Sequence, residues 1–286
     1  MIRLAAALAC LLWAESVAHQ QGVALYKQGK YQEAIATLEA AAKEEAPDSA
    51  DFKESALLIG QSLFVLNQAP KAIPWLEKIG PLSNVNFMLG YAYFLNHDTE
   101  KSEAAFARLF SQQADSAGGH LVAGEMLLKR AYEKEATDEV NKALAMNPRL
   151  PEGHFILGEI AITQGRTEEG AAEMSKEIEV NPDFAMAWYR RGDAYTRMGN
   201  CEAAISDLKR AIWLNQGYSG PYILLGKCYF NGKSFVKAES ALRGALEVDP
   251  QNYAATYLLA RTLMAEEKRD EGQKLLEKLK GMDRDR

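Results

Sequence analysis

Residues 187–215 read AWYRRGDAYTRMGNCEAAISDLKRAIWLN. On both sides of Gly199-Asn200, apolar residues recur at intervals of three and four, which is the spacing of one face of an α-helix. Glycine and asparagine are typical of a helix C-terminus followed by a tight turn. The segment therefore predicts two helices that lie side by side as a hairpin.

Small residues occupy the positions where the two helices of this hairpin would touch. Gly192 and Ala204 stand twelve residues apart, one on each predicted helix. A small side chain lets two helix backbones approach closely, whereas a large one would hold them apart. We therefore expect close packing of the two helices at this point.

The same pattern recurs along the chain with a period of 34 residues, which indicates an internal repeat. An apolar or arginine residue followed by glycine marks each first helix, at Gly90, Gly124, Gly158, Gly192 and Gly226. Twelve residues after each of these glycines there is a small residue: Ser102, Ala136, Gly170, Ala204 and Ala238. Proline lacks an N–H and stops a helix, so repeats are predicted to end at Pro148, Pro182 and Pro250.

The pattern resembles the tetratricopeptide repeat, whose signature is W-x2-L-G-x2-Y followed by Ala, Phe, Ala and Pro. The matching positions in the quoted segment are Trp188, Gly192, Tyr195, Ala204, Leu208 and Ala211. The resemblance implies an all-α protein, an α-solenoid that coils as a right-handed superhelix, with about eight helix-turn-helix repeats. These repeats fall at residues 15–48, 53–82, 83–112, 117–150, 151–184, 185–218, 219–252 and 253–286.

The regularity of the pattern differs along the chain. Residues 19–112 hold diverged repeats, and residues 120–286 hold regular repeats with a polar C-terminal end. Between them, residues 113–119 are polar and end in Gly118-Gly119, which we interpret either as a hinge or as a solvated loop. Pro74 falls in the second helix of repeat two and is expected to shorten or kink that helix.

The first residues have the layout of a secretory signal peptide. The chain begins MIRLAAALACLLWAESVAH, with one positive residue, an apolar stretch over residues 4–14, and Ser16-Val17-Ala18 before a predicted cut at His19. Residues 1–18 are therefore predicted to be a signal peptide, and the mature chain is expected in the periplasm or outside the cell. The alternatives are a buried first helix in a cytoplasmic protein and a lipoprotein modified at Cys10.

Several classes of function lack support in the sequence. The net charge of −6 disfavours binding to nucleic acid. No run of eighteen apolar residues predicts a transmembrane span. Four histidines are scattered without a metal or catalytic spacing, and the HExxH and GxSxG motifs do not occur. We therefore predict no catalytic residue, no metal and no cofactor, and we do not expect an enzyme.

Two cysteines of the predicted mature chain fall on neighbouring helices. Cys201 begins the second helix of repeat six, and Cys228 lies on the first helix of repeat seven. In an exported protein the pair is a candidate disulfide. The alternative is two half-buried thiols that act as small apolar side chains.

The resemblance implies that the first helix of each repeat lines a concave groove. The implied groove residues are Leu121, Glu125, Phe155, Glu159, Tyr189, Asp193, Arg197, Ile223, Lys227, Tyr257 and Arg261. They form an apolar and aromatic row beside a charged row, in which three carboxylates are followed by cations. An extended peptide with basic and acidic segments would complement this surface. The alternative is that the aromatic residues only pack between helices and the charges are solvated.

These observations give two hypotheses of function. The first is a protein–protein interaction scaffold that binds a peptide or protein partner in the groove. The second is a structural component of envelope assembly that docks through its edge or convex face. Charge reversal at Glu125, Glu159 and Asp193 is expected to abolish partner binding only under the first hypothesis.

Overall fold

The computed structural model describes residues 17–80 and 82–282, with the backbone alone for residues 281 and 282. The described residues form α-helices, two short 3₁₀ helices and the turns between them, and they include no strand. The all-α repeat fold predicted from the sequence is confirmed. Residues 1–16, which hold most of the predicted signal peptide and Cys10, lie outside the described residues.

The chain divides into two compact units, of which the first is Met1–Asn147. Four consecutive helix pairs build it, and the two members of each pair pack against each other. Its α-helices are α1 (Val17–Lys27), α2 (Tyr31–Ala41), α3 (Ala50–Val65), α4 (Ile73–Leu76), α5 (Ser83–Leu95), α6 (Thr99–Ala107), α7 (Ala117–Leu128) and α8 (Glu133–Met146).

The second unit, Pro148–Arg286, also consists of four helix pairs. Its helices are α9 (Gly153–Thr163), α10 (Thr167–Val180), α11 (Ala185–Arg197), α12 (Cys201–Leu214), α13 (Ser219–Asn231), α14 (Phe235–Val248), α15 (Tyr253–Ala265) and α16 (Arg269–Met282). The second helix of each pair packs against the first helix of the next pair. Within the described residues, no helix combines the length and the apolar character needed to cross a membrane.

The small residues of the repeat allow the close approach that the sequence predicts. A Cβ atom added to Gly226 would lie 2.6 Å from Cγ of Leu242, on the partner helix of the same pair. A Cβ atom on Gly192 would lie 2.9 Å from the Leu208 side chain. Both leucines are fully buried. Large side chains of the second helix therefore fill the space that glycine leaves on the first.

The second helix of repeat two is broken, as its prolines predict. The segment Ala69–Ala72 is a 3₁₀ helix, and α4, which follows it, has a single turn. Pro70 lies at the start of the 3₁₀ helix and Pro74 at the start of α4. Because proline has no N–H to donate, it is tolerated in these first turns and prevents one continuous helix.

Gly118 and Gly119 lie in a helix and not in the loop considered from the sequence, and the hinge over residues 113–119 stays a prediction. They form the first turn of α7, where the hydroxyl of Ser116 accepts a hydrogen bond from the Gly119 N–H at 3.0 Å. A Cβ atom on Gly119 would lie 2.6 Å from the carbonyl oxygen of Ala114. Position 119 therefore requires glycine, because the backbone of the preceding loop passes too close for a side chain. The division between the two compact units falls later, after Asn147.

Candidate functional site

The first helices of Pro148–Arg286 share one surface. Helix α9 contacts α11, α11 contacts α13, and α13 contacts α15. Side chains on the common side of these helices therefore line one continuous face, which we call the first-helix surface. The groove residues implied by the sequence within this unit are Phe155, Glu159, Tyr189, Asp193, Arg197, Ile223, Lys227, Tyr257 and Arg261.

Two aromatic residues of this surface pack inside the unit. Phe155 meets Phe184 edge to face with ring centroids 5.0 Å apart, and Tyr189 meets Tyr218 in the same way at 5.1 Å. Burial and the hydrogen bond to Tyr218 raise the pKa of Tyr189. Phe184 and Tyr218 are the N-cap residues of α11 and α13, so each ring pair packs one first helix against the start of the next first helix. Tyr257 differs from them, because 43% of its surface is exposed.

The two carboxylates of the surface are paired with arginines. Arg190 contacts both Glu159 and Asp193, and its distance to Asp193 is 3.5 Å. Arg197 lies 2.9 Å from the same Asp193 carboxylate, which is buried. Arg190 was absent from the groove residues implied by the sequence. Its position one helical turn before Asp193 is the signal that indicates the pair.

Cations are left exposed at the other end of the surface. Lys227 and Arg261 are exposed, and neither has an ion-pair partner among the described residues. The guanidinium of Arg261 lies 5.0 Å from the ring centroid of Phe230 and 5.8 Å from that of Tyr257. Ile223 is half-buried. The exposed charge of α13 and α15 on this side is therefore positive, and it adjoins an exposed aromatic ring.

A small cavity lies beside the paired tyrosines. Its volume is about 200 Å³. Its lining is mostly apolar and consists of Phe184, Ala185, Met186, Tyr189, Ala211, Asn215, Tyr218 and Pro221. A concave apolar site of this kind suits one aliphatic or aromatic side chain of a ligand.

The two remaining groove residues belong to Met1–Asn147. Leu121 is half-buried on α7. Glu125 lies on the same helix and pairs with Lys129 at 2.9 Å, with both side chains partly exposed. An exposed pair four residues apart on a helix contributes little to stability. Glu125 thus carries a charge that is already balanced by its neighbour.

Cys201 and Cys228 are thiols in this structure and pack in one cluster. Burial and the neighbouring Cys201 raise the pKa of Cys228 to about 11. The thiol of Cys228 also lies 3.6 Å from the Thr196 hydroxyl. The thiolate needed for disulfide exchange is therefore scarce at neutral pH. The disulfide between these residues stays a prediction.

A buried histidine in Met1–Asn147 forms a cluster that the sequence did not reveal. His120 Nδ1 lies 2.7 Å from Glu139 Oε2 and 4.0 Å from Glu103 Oε2. Lys142 Nζ lies 2.6 Å from the other oxygen of Glu139 and 3.2 Å from that of Glu103. Glu103 lies on α6, His120 on α7, and Glu139 and Lys142 on α8. Local spacing in the sequence gives no signal of such an arrangement.

The cluster adjoins a cavity in the same unit. The volume of that cavity is about 650 Å³. Its lining combines apolar residues with four carboxylates and one amine: Phe94, Thr99, Ser102, Glu103, Ala123, Leu127, Glu135, Asp138, Glu139, Asn141, Lys142 and Ala145. The charge of its walls is therefore predominantly negative.

Two family models with the description tetratricopeptide repeat match this chain. One matches residues 19–83 and 155–220, and the other matches residues 233–286. These segments fall in both compact units. No protein with a curated description matches the chain.

Several solved structures have a similar fold. A crystal structure of MamA protein is 23% identical and covers 58% of this chain and 91% of its own, with a TM-score of 0.54. YrrB, described as a TPR protein with an unusual peptide-binding site, is 19% identical, covers 62% and 91%, and has a TM-score of 0.55. A pilF structure from Pseudomonas aeruginosa is 19% identical, covers 70% and 91%, and has a TM-score of 0.57. At these identities the similarity shows the fold.

Proposed function

Since the chain belongs to the tetratricopeptide repeat family, we propose that it is a scaffold whose unit Pro148–Arg286 binds an extended acidic segment of a partner protein. The segment would lie along the first-helix surface. Proteins of this family bind protein or peptide partners and are typically scaffolds and not enzymes. We therefore assign no reaction to this chain.

The exposed cations Lys227 and Arg261 carry the proposal, and Arg261 lies beside the exposed ring of Tyr257. The carboxylates Glu159 and Asp193 already have arginine partners, so they offer little attraction to a basic ligand. The cations of α13 and α15 have no such partners among the described residues. Complementarity of charge therefore favours an acidic ligand over the mixed basic and acidic peptide that the sequence suggested.

The aromatic-lined cavity supplies a place for an apolar anchor. Phe184, Tyr218 and the half-buried Tyr189 are among the residues that line it. Buried apolar or aromatic anchors carry much of the energy of interfaces of this kind. The proposed ligand thus combines an apolar side chain near α11 with carboxylates near α13 and α15. The peptide-binding site named for YrrB, which has a similar fold, supports this use of the fold.

Charge reversal on the first-helix surface tests the proposal. The double variant Lys227→Glu, Arg261→Glu should lose the partner that the wild-type chain captures from its native extract. For the purified partner, we expect affinity to fall by about tenfold or more, equivalent to ~1.4 kcal/mol. Raising the salt concentration should weaken wild-type binding, because exposed charges are screened.

A matched control places the same change of charge on the second helices. Lys209 and Lys237 are exposed on α12 and α14. The variant Lys209→Glu, Lys237→Glu should capture the partner as the wild type does. If the two double variants weaken binding equally, charge at the first-helix surface is not what recognises the partner.

Exposed apolar residues on the second helices favour one other candidate. Trp213 on α12 is 66% exposed and Val236 on α14 is 75% exposed. Large exposed apolar side chains mark interaction sites when they cluster. Under this second candidate, the chain is a component of envelope assembly that docks through its second helices. Trp213→Ala would then abolish partner capture, whereas Lys227→Glu with Arg261→Glu would leave it intact.

Export of the mature chain is also part of the proposal. The predicted cut lies before His19, and Val17, which the cut would remove, is 80% exposed. His19 itself is buried, with Nδ1 2.9 Å from the Ser55 hydroxyl. Removal of residues 1–18 would therefore preserve the first contact that anchors α1. N-terminal sequencing of the protein from its native source should give His19, and a start at Met1 would contradict export.

A further inference from the structure

The cluster around His120 brings three metal-binding groups together from three helices. Glu103 lies on α6, His120 on α7 and Glu139 on α8. One donor atom of each lies within 4.8 Å of the donor atoms of the other two. His120 and Glu139 are each only 6% exposed. Because all three residues lie on packed helices, the arrangement of the donor atoms does not depend on a loop.

The three donors match the ligands of a first-row divalent metal ion. One imidazole nitrogen with two carboxylate oxygens is a donor set that Zn²⁺ accepts, with water completing the coordination. We propose that Glu103, His120 and Glu139 bind a divalent transition-metal ion, for which Zn²⁺ is the test ion. An imidazole nitrogen binds a metal ion only when that nitrogen carries no proton.

The surrounding charges orient the donors toward one point. The Lys142 ammonium contacts the Oε1 atoms of Glu103 and Glu139, at 3.2 Å and 2.6 Å. The Oε2 atoms of both glutamates face His120 Nδ1. Asp115 Oδ1 lies 3.9 Å from Nε2, on the other side of the ring. The Nδ1 atom and the two facing carboxylate oxygens therefore already lie together, as a shared ion requires.

The acidic cavity provides a path for the ion. Glu103 and Glu139 line it, and Glu135 and Asp138 lie on the same wall. Carboxylates around a concave opening raise the local concentration of cations. A hydrated divalent ion can therefore reach the donors without unfolding of the unit.

The second unit contains a matched pair that lacks the third ligand. His154 Nδ1 lies 2.7 Å from Glu173 Oε2, and Lys176 lies 2.6 Å from the other oxygen. Each of these residues stands 34 positions after its counterpart in the first cluster. The residue 34 positions after Glu103 is Thr137, which has no carboxylate. Among the described residues, a three-ligand group occurs only at Glu103, His120 and Glu139.

Zinc titration of the full chain tests the proposal. By calorimetry and by metal analysis after dialysis, the wild-type chain and His154→Ala should each bind one equivalent of Zn²⁺. Glu103→Gln and His120→Ala should bind at least about tenfold more weakly, because each loses one of three ligands. The proposal is overturned if Glu103→Gln binds Zn²⁺ as tightly as wild type, or if His154→Ala loses the same binding.

Absorption spectroscopy with Co²⁺ tests the same site in the wild-type chain, so the result does not depend on whether a variant folds. Co²⁺ should bind with visible d–d absorption, which Zn²⁺ then removes by displacement. Thiolate charge-transfer bands should be missing, since Cys201 and Cys228 are not the proposed ligands. A Co²⁺ spectrum identical to that of the free ion, or one dominated by thiolate bands, would contradict the assignment.

Discussion

The two compact units place charge differently on the same helical hairpin. In Met1–Asn147, the buried His120 is set between carboxylates, and the cavity beside it is acidic. In Pro148–Arg286, Arg190 pairs with the carboxylates of the first-helix surface, and Lys227 and Arg261 stay exposed. The repeat pattern fixes which positions are small and which are apolar. The positions between them are free to carry opposite charge in the two units.

One first helix of each unit shows a different kind of N-terminal cap. The backbone N–H groups of Glu152 and Phe155, at the start of α9, donate to the buried carboxylate of Glu177 on α10, at 2.8 and 3.3 Å. In the first unit, the residue 34 positions before Glu177 is Ala143, and α7 is capped locally by Ser116. Helix α9 of the second unit is therefore capped from another helix, whereas α7 of the first unit is capped by the residue before it.

The largest expected effect on stability comes from Arg191 in the second unit. Its guanidinium donates to both oxygens of the buried Asp207, at 2.7 and 2.9 Å. Arg191→Met would leave that carboxylate buried without its partner. We expect the free energy of unfolding, measured by urea denaturation, to fall by ~3–5 kcal/mol.

An exposed ion pair in the same unit is the control for Arg191. Arg210 lies 3.2 Å from Asp183, which is largely exposed. Arg210→Met should change the free energy of unfolding by ~1 kcal/mol or less. Equal losses in the two variants would mean that burial of the carboxylate does not determine the cost.

The two helix caps should differ in strength. Glu177→Ala removes the acceptor of two N–H groups, and we expect a loss of ~2–3 kcal/mol. Ser116→Ala in the first unit removes a single cap and should cost ~1 kcal/mol. Glu179→Ala, an exposed change on α10, is the control and should stay within ~0.5 kcal/mol of wild type. A larger loss for Ser116→Ala than for Glu177→Ala would reverse the comparison.

The smallest effect is a change in pH dependence at the end of the second unit. Hydrogen bonds from Lys268 and then Arg243 lower the pKa of Glu239 from 4.5 to about 2. A lowered carboxyl pKa stabilises the fold above pH 4.5, and this contribution is lost as the pH falls toward 2. Glu239→Gln should therefore show a flatter decline of Tm over that range.

An exposed glutamate is the control for the pH experiment. Glu202, in the first turn of α12, is exposed and has no ion-pair partner among the described residues. Glu202→Gln should retain the wild-type slope of Tm between pH 4.5 and 2. If Glu239→Gln keeps that slope too, the ion pairs of Glu239 do not contribute to stability.

The fold was predictable because the repeat depends on local spacing and side-chain size. The repeat spacing predicted the close contact of helices at Gly192, which Leu208 fills, and the proline predicted the broken helix at Pro74. The pairing of Arg190 with Glu159 was not visible, since the two residues lie on different helices, α11 and α9. The His120 cluster was hidden for the same reason, because its ligands come from three helices. The tight contact at Gly119 also depends on the path of the preceding loop, which periodicity does not describe.

Site-specific crosslinking tests the central claim most directly, because it reports which face of Pro148–Arg286 touches the partner. A photoreactive residue would replace Tyr257 on the first-helix surface or, in a second variant, Trp213 on the second-helix side. Both side chains are exposed, so neither replacement should disturb the core. We predict a crosslink to the captured partner from position 257 and none from position 213. A crosslink from position 213 alone would contradict binding at the first-helix surface.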